Sequence, residues 1–298
     1  MSSIISHSAT LRFRLKDLDT LPEPGRVLMV RPTHFSIDYV INPHMEGQVG
    51  KVNKEKAMQQ WEQVRDAFAA TGKEVVELEG GKNLPDMVFC ANQSLPYCNP
   101  EGGHEVIMSI MNSPYRQPEV PLIADWYDQQ NYERHHLDGE IIPIFEGMGD
   151  AIWHPGRRLL WGGHGFRTSK DAYTFISETL NVPVITLALH KSHFYHLDTC
   201  FCALNEDSVL IYPKAFEPEG LRLIRSLFKN VIEAPEEEAM DKFACNATCP
   251  DGKHVIIQKG AKQTSKALKE AGFEVVEVDT SEFIKSGGSV FCMKLMLW

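Results

Sequence analysis

Five polar residues recur along this 298-residue chain at nearly equal intervals. Asn92, Glu146, His196, Asn246 and Cys292 are separated by 54, 50, 50 and 46 residues, and each is set in an otherwise apolar, strand-like segment. A regular interval of this length predicts a structural repeat of five units, with one polar group in each unit.

Each unit has the same order of segments: an apolar run, a helical stretch, a second apolar run and the segment with the polar residue. In the first unit these segments cover residues 26–32, about 55–72, 74–78 and 86–95. An amphipathic helix is predicted there because apolar residues recur every three or four positions, at Met58, Trp61, Val64 and Phe68.

No unit is long enough to bury a core alone, so the five units are expected to close on one another. A repeat of this period and mixed composition predicts a propeller-like α/β array, in which equivalent positions meet near a central axis. The chain has no linker rich in Pro, Gly or Ser, and we expect residues 1–298 to form one domain.

Composition argues against two classes of partner. The net charge is −10, from 30 Lys and Arg against 40 Asp and Glu, whereas a nucleic-acid partner needs a basic face. No apolar run approaches the length of a membrane span, and the N-terminal MSSIISHSAT lacks the apolar core of a signal peptide. Seven cysteines, an odd number, indicate free thiols in a reducing compartment, so we expect a cytoplasmic protein.

Cys292 and His196 together predict nucleophilic catalysis. Cys292 follows SGGS, a loop whose glycines, Gly288 among them, allow the backbone to approach a ligand closely. Unpaired cysteines are usually inert and buried, but a thiol with a base or cation beside it can act as a nucleophile. Strand alternation would turn His196 and Asp198 to the same side, where the carboxylate can orient the imidazole.

Glu146 and Asp150 place two carboxylates beside flexible glycines in FEGMGD. They are consistent with an acid/base pair, with a cation-binding site or with a solvated turn. A cationic substrate makes use of all these groups, because its charge would favour the thiolate of Cys292. The cysteine spacings, Cys200-x-Cys202 and Cys245-x3-Cys249, do not match zinc sites and HExxH is absent, so no metal or other cofactor is expected.

These motifs resemble those of the guanidino-group-modifying enzymes, the pentein superfamily of arginine deiminases, dimethylargininases and amidinotransferases. The resemblance covers nearly the whole chain and depends on the order and spacing of eight motifs: INPHM, PDMVFCAN, PYRQPE, FEGMGD, GFRTS, FYHLDTCF, FACNA and SGGSVFCMKL. It implies a five-unit ββαβ propeller with a central active site.

The resemblance also implies a mechanism. The Cys292 thiolate would attack the guanidinium carbon while Glu146 and Asp198 hold the nitrogens, and His196 would protonate the departing amine before it activates water. Arg116 and Arg167 would bind the α-carboxylate of the substrate, although arginines in such loops can also be surface residues. Asn42 lies in a poorly patterned stretch, about 33–54, of the length expected for a lid or binding loop.

Asn92 departs from the deiminase and dimethylargininase pattern, which has an aspartate there. An amide can donate to the neutral ureido group of citrulline, which a carboxylate would repel. The combination of Asn42, Asn92 and NPHM therefore resembles the arginine dihydrolases, which release ornithine, carbon dioxide and two ammonia molecules. These also occur as the N-terminal domain of longer fusions, and because this chain ends six residues after Cys292 we expect no second activity.

Several alternatives are left open by the sequence. A deiminase, a dimethylargininase or an amidinotransferase would use the same thiol, and the fold also occurs in a non-enzymatic ribosome anti-association factor. Cys292 and His196 argue against that last role, and the acidic surroundings argue against a peptidase, which needs oxyanion donors. Asn246 is expected to be structural, and assembly into a homo-oligomer is left open.

Overall fold

The computed structural model describes residues 3–298, and in this part of the chain it contains fifteen β-strands and eight α-helices. The strands are β1 Ser3–Ile5, β2 Arg26–Val30, β3 Glu74–Leu78, β4 Ser94–Cys98, β5 His104–Met108, β6 Glu133–His135, β7 Ala151–Trp153, β8 Leu160–His164, β9 Pro183–Ala188, β10 Phe201–Ala203, β11 Ser208–Ile211, β12 Asn230–Glu233, β13 His254–Gln258, β14 Glu274–Val278 and β15 Leu295–Leu297. The helices are α1 Lys54–Ala70, α2 Glu119–Gln129, α3 Gly147–Asp150, α4 Ala172–Leu180, α5 Pro218–Leu227, α6 Glu236–Asp241, α7 Lys262–Glu270 and α8 Ser281–Ile284.

The strands form five small sheets, three of which contain the same three-stranded unit. In β4–β5–β6, the central strand pairs antiparallel with the strand before it and parallel with the strand after it, and α2 makes the parallel crossover. The same arrangement recurs in β7–β8–β9 with α4 and in β10–β11–β12 with α5. A mixed sheet with one crossover helix accounts for a sequence period near 50 residues.

The remaining two sheets are variations on this unit. β2 and β3 pair in parallel around α1, and their antiparallel partner is β15, which comes from the other end of the chain. In β13–β14 the antiparallel strand is reduced to a single bridge between Thr248 and Ile256. β1 adds a parallel edge strand beside β9.

Helix α1 shows how local sequence produces these units. The side chain of Asn53 accepts a hydrogen bond from the amide of Lys56 at 3.0 Å and so caps the N-terminus. Trp61, Val64 and Phe68 are fully buried on one face, as the three- and four-residue spacing predicts. Two residues after the helix, Gly72 has a φ of 82°, a backbone conformation that favours glycine. The predicted helix is confirmed.

The five polar residues do not lie in strands, and this part of the prediction is wrong. Asn92 ends a 3-10 turn, His196 precedes another, and Glu146, Asn246 and Cys292 lie in irregular segments. In each unit the strand, or for Asn246 the bridge at Thr248, begins only two to five residues later. The apolar residues around these sites are buried because two layers of the core enclose the turns, and not because a strand alternates there.

The turn that contains Cys292 rests against a compact apolar cluster. Phe35 stacks on Phe283 with ring centroids 4.9 Å apart, and Val290 and Met293 are fully buried beside them. Such close-packed surroundings hold the turn in one conformation. Within residues 3–298, no helix has the length and apolar character needed to cross a membrane.

Candidate active site

A small cavity lies between the segments that precede the antiparallel strands and the irregular segment around residue 42. Its free volume is about 20 Å³, which is room for about one water molecule. Six of the residues predicted from sequence line it: Asn42, Asn92, Arg116, Arg167, His196 and Cys292. Any substrate must therefore displace part of the wall when it enters.

Cys292 lies between a carboxylate and an amide. Its Sγ donates a hydrogen bond to Oδ2 of Asp198 at 3.2 Å and accepts one from Nδ2 of Asn246 at 3.2 Å. Burial, reinforced by the neighbouring Asp198 carboxylate, raises the pKa of the Cys292 thiol well above its ordinary value. Burial also raises the pKa of Asp198 to about 7. Without a substrate the sulfur is therefore a thiol.

Asn246 contacts the sulfur directly, and the expectation that it is only structural is incomplete. Its Oδ1 accepts hydrogen bonds from the amides of Ser289 at 3.0 Å and Cys292 at 3.4 Å, while its Nδ2 also donates to the Asp198 carbonyl at 3.0 Å. One side chain thus links the nucleophile to the His196–Asp198 segment. The sequence placed Asn246 at the right interval but gave no sign of these contacts.

His196 is oriented by Glu146. Nε2 of His196 lies 2.7 Å from Oε2 of Glu146, which also accepts a hydrogen bond from Nη1 of Arg167 at 3.0 Å. Burial alone would raise the pKa of Glu146, but Arg167 and His196 outweigh it and lower that pKa to about 2. An ionised Glu146 therefore fixes Nε2 of His196 as the protonated nitrogen. Glu146 does not line the cavity, so these contacts favour an orienting role over the predicted contact with substrate nitrogens.

Asn92 has a fixed amide orientation. Nη1 of Arg116 donates to Oδ1 of Asn92 at 2.8 Å, and within residues 3–298 the buried Nδ2 of Asn92 has no hydrogen-bond partner. Because arginine can only donate, this contact identifies the oxygen of the amide and leaves the NH₂ group beside the cavity. Gly149 leaves room for that group, since a side chain at this position would collide with it.

Arg116 is buried, so the alternative that it is an arginine of the protein surface is wrong. Its guanidinium donates to both oxygens of Glu119, with Nη2–Oε2 at 2.9 Å, and to the carbonyls of Asp86 and Phe89. Most of its donors are thus used inside the protein. These contacts favour a role in holding Asn92 over the predicted binding of a substrate carboxylate.

Arg167 is also buried, and it connects Glu146 to the loop around Asn42 that covers the cavity. Nη2 donates to the carbonyl of Ile41 at 2.9 Å, and the guanidinium carbon lies 5.1 Å from the centre of the Tyr195 ring. On the same loop, Nδ2 of Asn42 donates to the carbonyl of Ser286 at 3.0 Å. These two hydrogen bonds help to hold this loop over the cavity.

Two of the predicted substrate-binding residues do not line the cavity. Asp150 is fully buried, and its Oδ1 accepts a hydrogen bond from the amide of Leu197 at 2.9 Å, so it supports the segment after His196. Burial raises its pKa to about 7. Gly288 packs against the ring of Phe89, where a side chain would collide, and it is Gly287, with a φ of 85°, that reaches the cavity.

Asp86 lines the cavity but was not selected from the sequence. Its carboxylate accepts hydrogen bonds from the Tyr39 hydroxyl at 2.8 Å and from Oγ of Ser286 at 3.1 Å. Burial raises its pKa. Asp86 lies six residues before Asn92 in the same motif, and this proximity was the available signal.

The remaining cysteines are free thiols, and five of the six are buried. In the described part of the chain, no group of three or more His, Cys, Asp or Glu side chains is arranged to hold a metal ion.

A family model, eukaryotic N,N dimethylarginine dimethylhydrolase, matches residues 31–297. The chain belongs to this family. Other members of it are pentein amidinohydrolases that act on guanidino groups.

Two named relatives are similar to nearly the whole chain. The chain is 37% identical to the bifunctional arginine dihydrolase/ornithine cyclodeaminase ArgZ of Synechocystis, over 91% of this chain and 37% of ArgZ. It is 33% identical to the N(G),N(G)-dimethylarginine dimethylaminohydrolase of Mycobacterium tuberculosis, over 92% of this chain and 86% of that protein. The chain thus spans little more than a third of the length of the bifunctional relative.

Solved structures share the α/β fold of the chain. The N-terminal domain of ArgZ bound to substrate superposes with a TM-score of 0.83 at 36% identity, covering 91% of this chain and 97% of that domain. A dimethylarginine dimethylaminohydrolase carrying an S-methyl-L-thiocitrulline adduct superposes with a TM-score of 0.75 at 24% identity, which shows the common fold.

Proposed function

We propose that this chain is an arginine dihydrolase, which converts L-arginine and two water molecules to ornithine, carbon dioxide and two molecules of ammonia. The observation that carries the proposal is the Asn92 amide, whose oxygen is held by Arg116 so that its NH₂ group remains free beside the cavity. The ArgZ domain, solved with its substrate bound, supports arginine as the ligand.

Binding of a guanidinium prepares the nucleophile. The pKa of the Cys292 thiol is raised by burial and by Asp198, and a cation placed beside the sulfur reverses this electrostatic penalty. The thiol proton then passes to a neighbouring base, for which Asp198, 3.2 Å from the sulfur, is in position. The resulting thiolate is the species that attacks the guanidinium carbon.

The first hydrolysis needs one proton donor and one base. After the thiolate of Cys292 adds to the guanidinium carbon, His196 donates a proton to one terminal nitrogen and ammonia leaves. The same imidazole then removes a proton from water, which attacks the thiouronium carbon and releases citrulline. Glu146, 2.7 Å from Nε2, stabilises the imidazole in each step in which it carries the additional proton.

Asn92 decides whether the reaction continues. The ureido group of citrulline is neutral and carries an oxygen, which can accept a hydrogen bond from the free Nδ2 of Asn92. An aspartate there would place two acceptors together and favour release of citrulline. With the amide, Cys292 attacks the ureido carbon, the second ammonia leaves, and hydrolysis of the remaining thiocarbamate gives carbon dioxide and ornithine.

The other end of arginine carries an ammonium and a carboxylate. Asp86 is the carboxylate of the cavity wall that is in position for the ammonium group. Asn42, on the loop that covers the cavity, and Arg167 line the same cavity. Since the free volume is about 20 Å³, we propose that the loop around Asn42 opens for entry and closes over the substrate.

The architecture belongs to the same proposal. We propose that residues 1–298 form one domain in which the five sheets surround a central axis as a ββαβ propeller. The pairing of β15 with β2 supports closure of the ring, and all five units contribute a residue near the cavity. Seven unpaired cysteines support a reducing location such as the cytoplasm.

Product analysis tests the function. Purified protein incubated with arginine should release ornithine and two equivalents of ammonia, and Cys292→Ala should release neither. Accumulation of citrulline without ornithine would identify a deiminase instead. Asn92→Asp should shift the products toward citrulline, and an unchanged yield of ornithine from that variant would refute the role assigned to Asn92.

Dimethylarginine hydrolysis is the second candidate because the family model matches that group of enzymes. Parallel assays with dimethylarginine, arginine and agmatine separate the candidates: turnover of dimethylarginine exceeding that of arginine would favour the second function.

A further inference from the structure

A second and much larger cavity lies on the other side of the turn that carries Cys292. Its volume is about 270 Å³. Phe291 and Lys294 face this cavity, whereas Cys292 faces the small one, so neighbouring residues of one turn divide the two spaces. Apolar side chains form most of the wall, including Ile152, Leu204, Met296 and Trp298.

Lys294 is a buried cation without a counterion. The residue is only 1% exposed, and its ammonium makes no hydrogen bond or ion pair in the part of the chain that the structure describes. Nζ lies 3.3 Å from the centre of the Phe291 ring. Asp198 acts on this charge through space but forms no ion pair with it. Burial lowers the pKa of Lys294 to about 8, so the amine is mostly protonated at neutral pH, and an anion that enters from the cavity offsets the cost of burying this charge.

Two further observations point to an anionic ligand. Oγ1 of Thr248, on the wall of the same cavity, is buried and unpartnered among the described residues, and it can donate a hydrogen bond. The carboxylates at the cavity are already paired: Glu23 with Lys73, Glu206 with Arg157, and Asp251 with His254. Lys294 is therefore the charged side chain of the cavity wall that has no partner in direct contact among the described residues.

We propose that this cavity binds a small monocarboxylate with an unbranched or branched apolar chain. The carboxylate would pair with Nζ of Lys294 and accept a hydrogen bond from Thr248, while the apolar chain contacts the surrounding wall. Binding here is independent of the arginine dihydrolase proposal, because it uses none of the residues assigned to the reaction. The ligand class follows from one fixed cation at the end of an apolar space.

Calorimetric titration with a series of probes tests the ligand class. Affinity should rise from butanoate to hexanoate by roughly fourfold for each added methylene, since each buried methylene contributes a constant increment. Hexanamide and hexylamine, which have the same chain without the negative charge, should bind at least tenfold more weakly than hexanoate. Chloride or acetate binding as tightly as hexanoate would overturn the proposal, since it would indicate a site for any small anion.

Variants test the location. Lys294→Met, which keeps the length of the side chain, should weaken hexanoate binding at least tenfold, and Thr248→Val should weaken it severalfold without changing any charge. His196→Ala, on the other side of the turn, and Lys266→Met, on the surface, are the controls and should bind hexanoate as the unaltered protein does. If Lys294→Met does not fold, Thr248→Val decides: unchanged affinity in that variant, or loss of affinity in His196→Ala, would refute the assignment.

Discussion

At the scale of single residues, Asn246 is the contact that most directly affects the reactive sulfur. It donates a hydrogen bond to Sγ of Cys292 at 3.2 Å, and this bond becomes charge-assisted when the thiolate forms. We predict that Asn246→Ala lowers kcat roughly 10- to 150-fold, the equivalent of about 1.5–3 kcal/mol for a hydrogen bond to a charged group. Steady-state kinetics with arginine measures the effect.

The control for this change is Asn230→Ala, because Asn230 is an exposed asparagine of β12. That variant should retain full activity. Circular dichroism must show that Asn246→Ala is folded, and a folded variant with an unchanged kcat would refute the role of Asn246 at the sulfur.

The ionisation of Cys292 gives a second prediction at this scale. Burial and Asp198 hold the thiol pKa well above its ordinary value in the free protein. A guanidinium ligand that does not react should lower this pKa, so the ultraviolet absorbance of thiolate should increase at neutral pH when the ligand is added. Cys292→Ser should show no increase. An equal thiolate signal with and without the ligand would contradict activation by the substrate.

At the scale of secondary structure, periodic elements were predictable and the turns were not. Helix α1 has a buried face at regular spacing, and capping and glycine signals mark its ends. The segments that carry Asn92 and His196 are 3-10 turns whose apolar residues are buried by tertiary contacts, so their composition resembled that of strands. The prediction found six of the thirteen residues that line the cavity, but it could not find Asp86 or separate Gly287 from Gly288.

Helix α7 gives a prediction that concerns one element. The carboxylate of Glu238, in α6, accepts hydrogen bonds from the amides of Gln263 and Thr264 at 2.8 Å each, which satisfies the first turn of α7. We predict that Glu238→Ala lowers the free energy of unfolding by about 1–3 kcal/mol, because buried donors lose their acceptor. Urea denaturation measures this loss.

Glu237→Ala is the matched control, since the neighbouring Glu237 is exposed and should change stability little. Both variants should keep the kcat of the unaltered protein at temperatures where they are folded. A Glu238→Ala protein as stable as the control would show that the cap contributes nothing.

At the scale of the whole molecule, a buried carboxyl group of the active site lowers the stability of the fold. Asp198 is fully buried, and its pKa is raised from 3.8 to about 7. A raised carboxyl pKa destabilises the folded state, because the unfolded chain ionises near pH 4 without that penalty. This loss of stability begins above the pKa that the Asp198 carboxyl group has in the unfolded chain. It is complete above about pH 7, so it is present at physiological pH.

We therefore predict that Asp198→Asn is inactive but more stable than the unaltered protein at pH 8, by up to about 4 kcal/mol.

Glu146→Gln should act in the opposite direction. The pKa of Glu146 is lowered from 4.5 to about 2, and this carboxylate stabilises the fold at every pH above its unfolded pKa. That contribution disappears as the pH falls from about 4.5 to 2, so the gap between Glu146→Gln and the unaltered protein should narrow in acid. Denaturant unfolding at several pH values measures both effects, and a destabilised Asp198→Asn protein at pH 8 would show that its carboxylate is compensated in the fold.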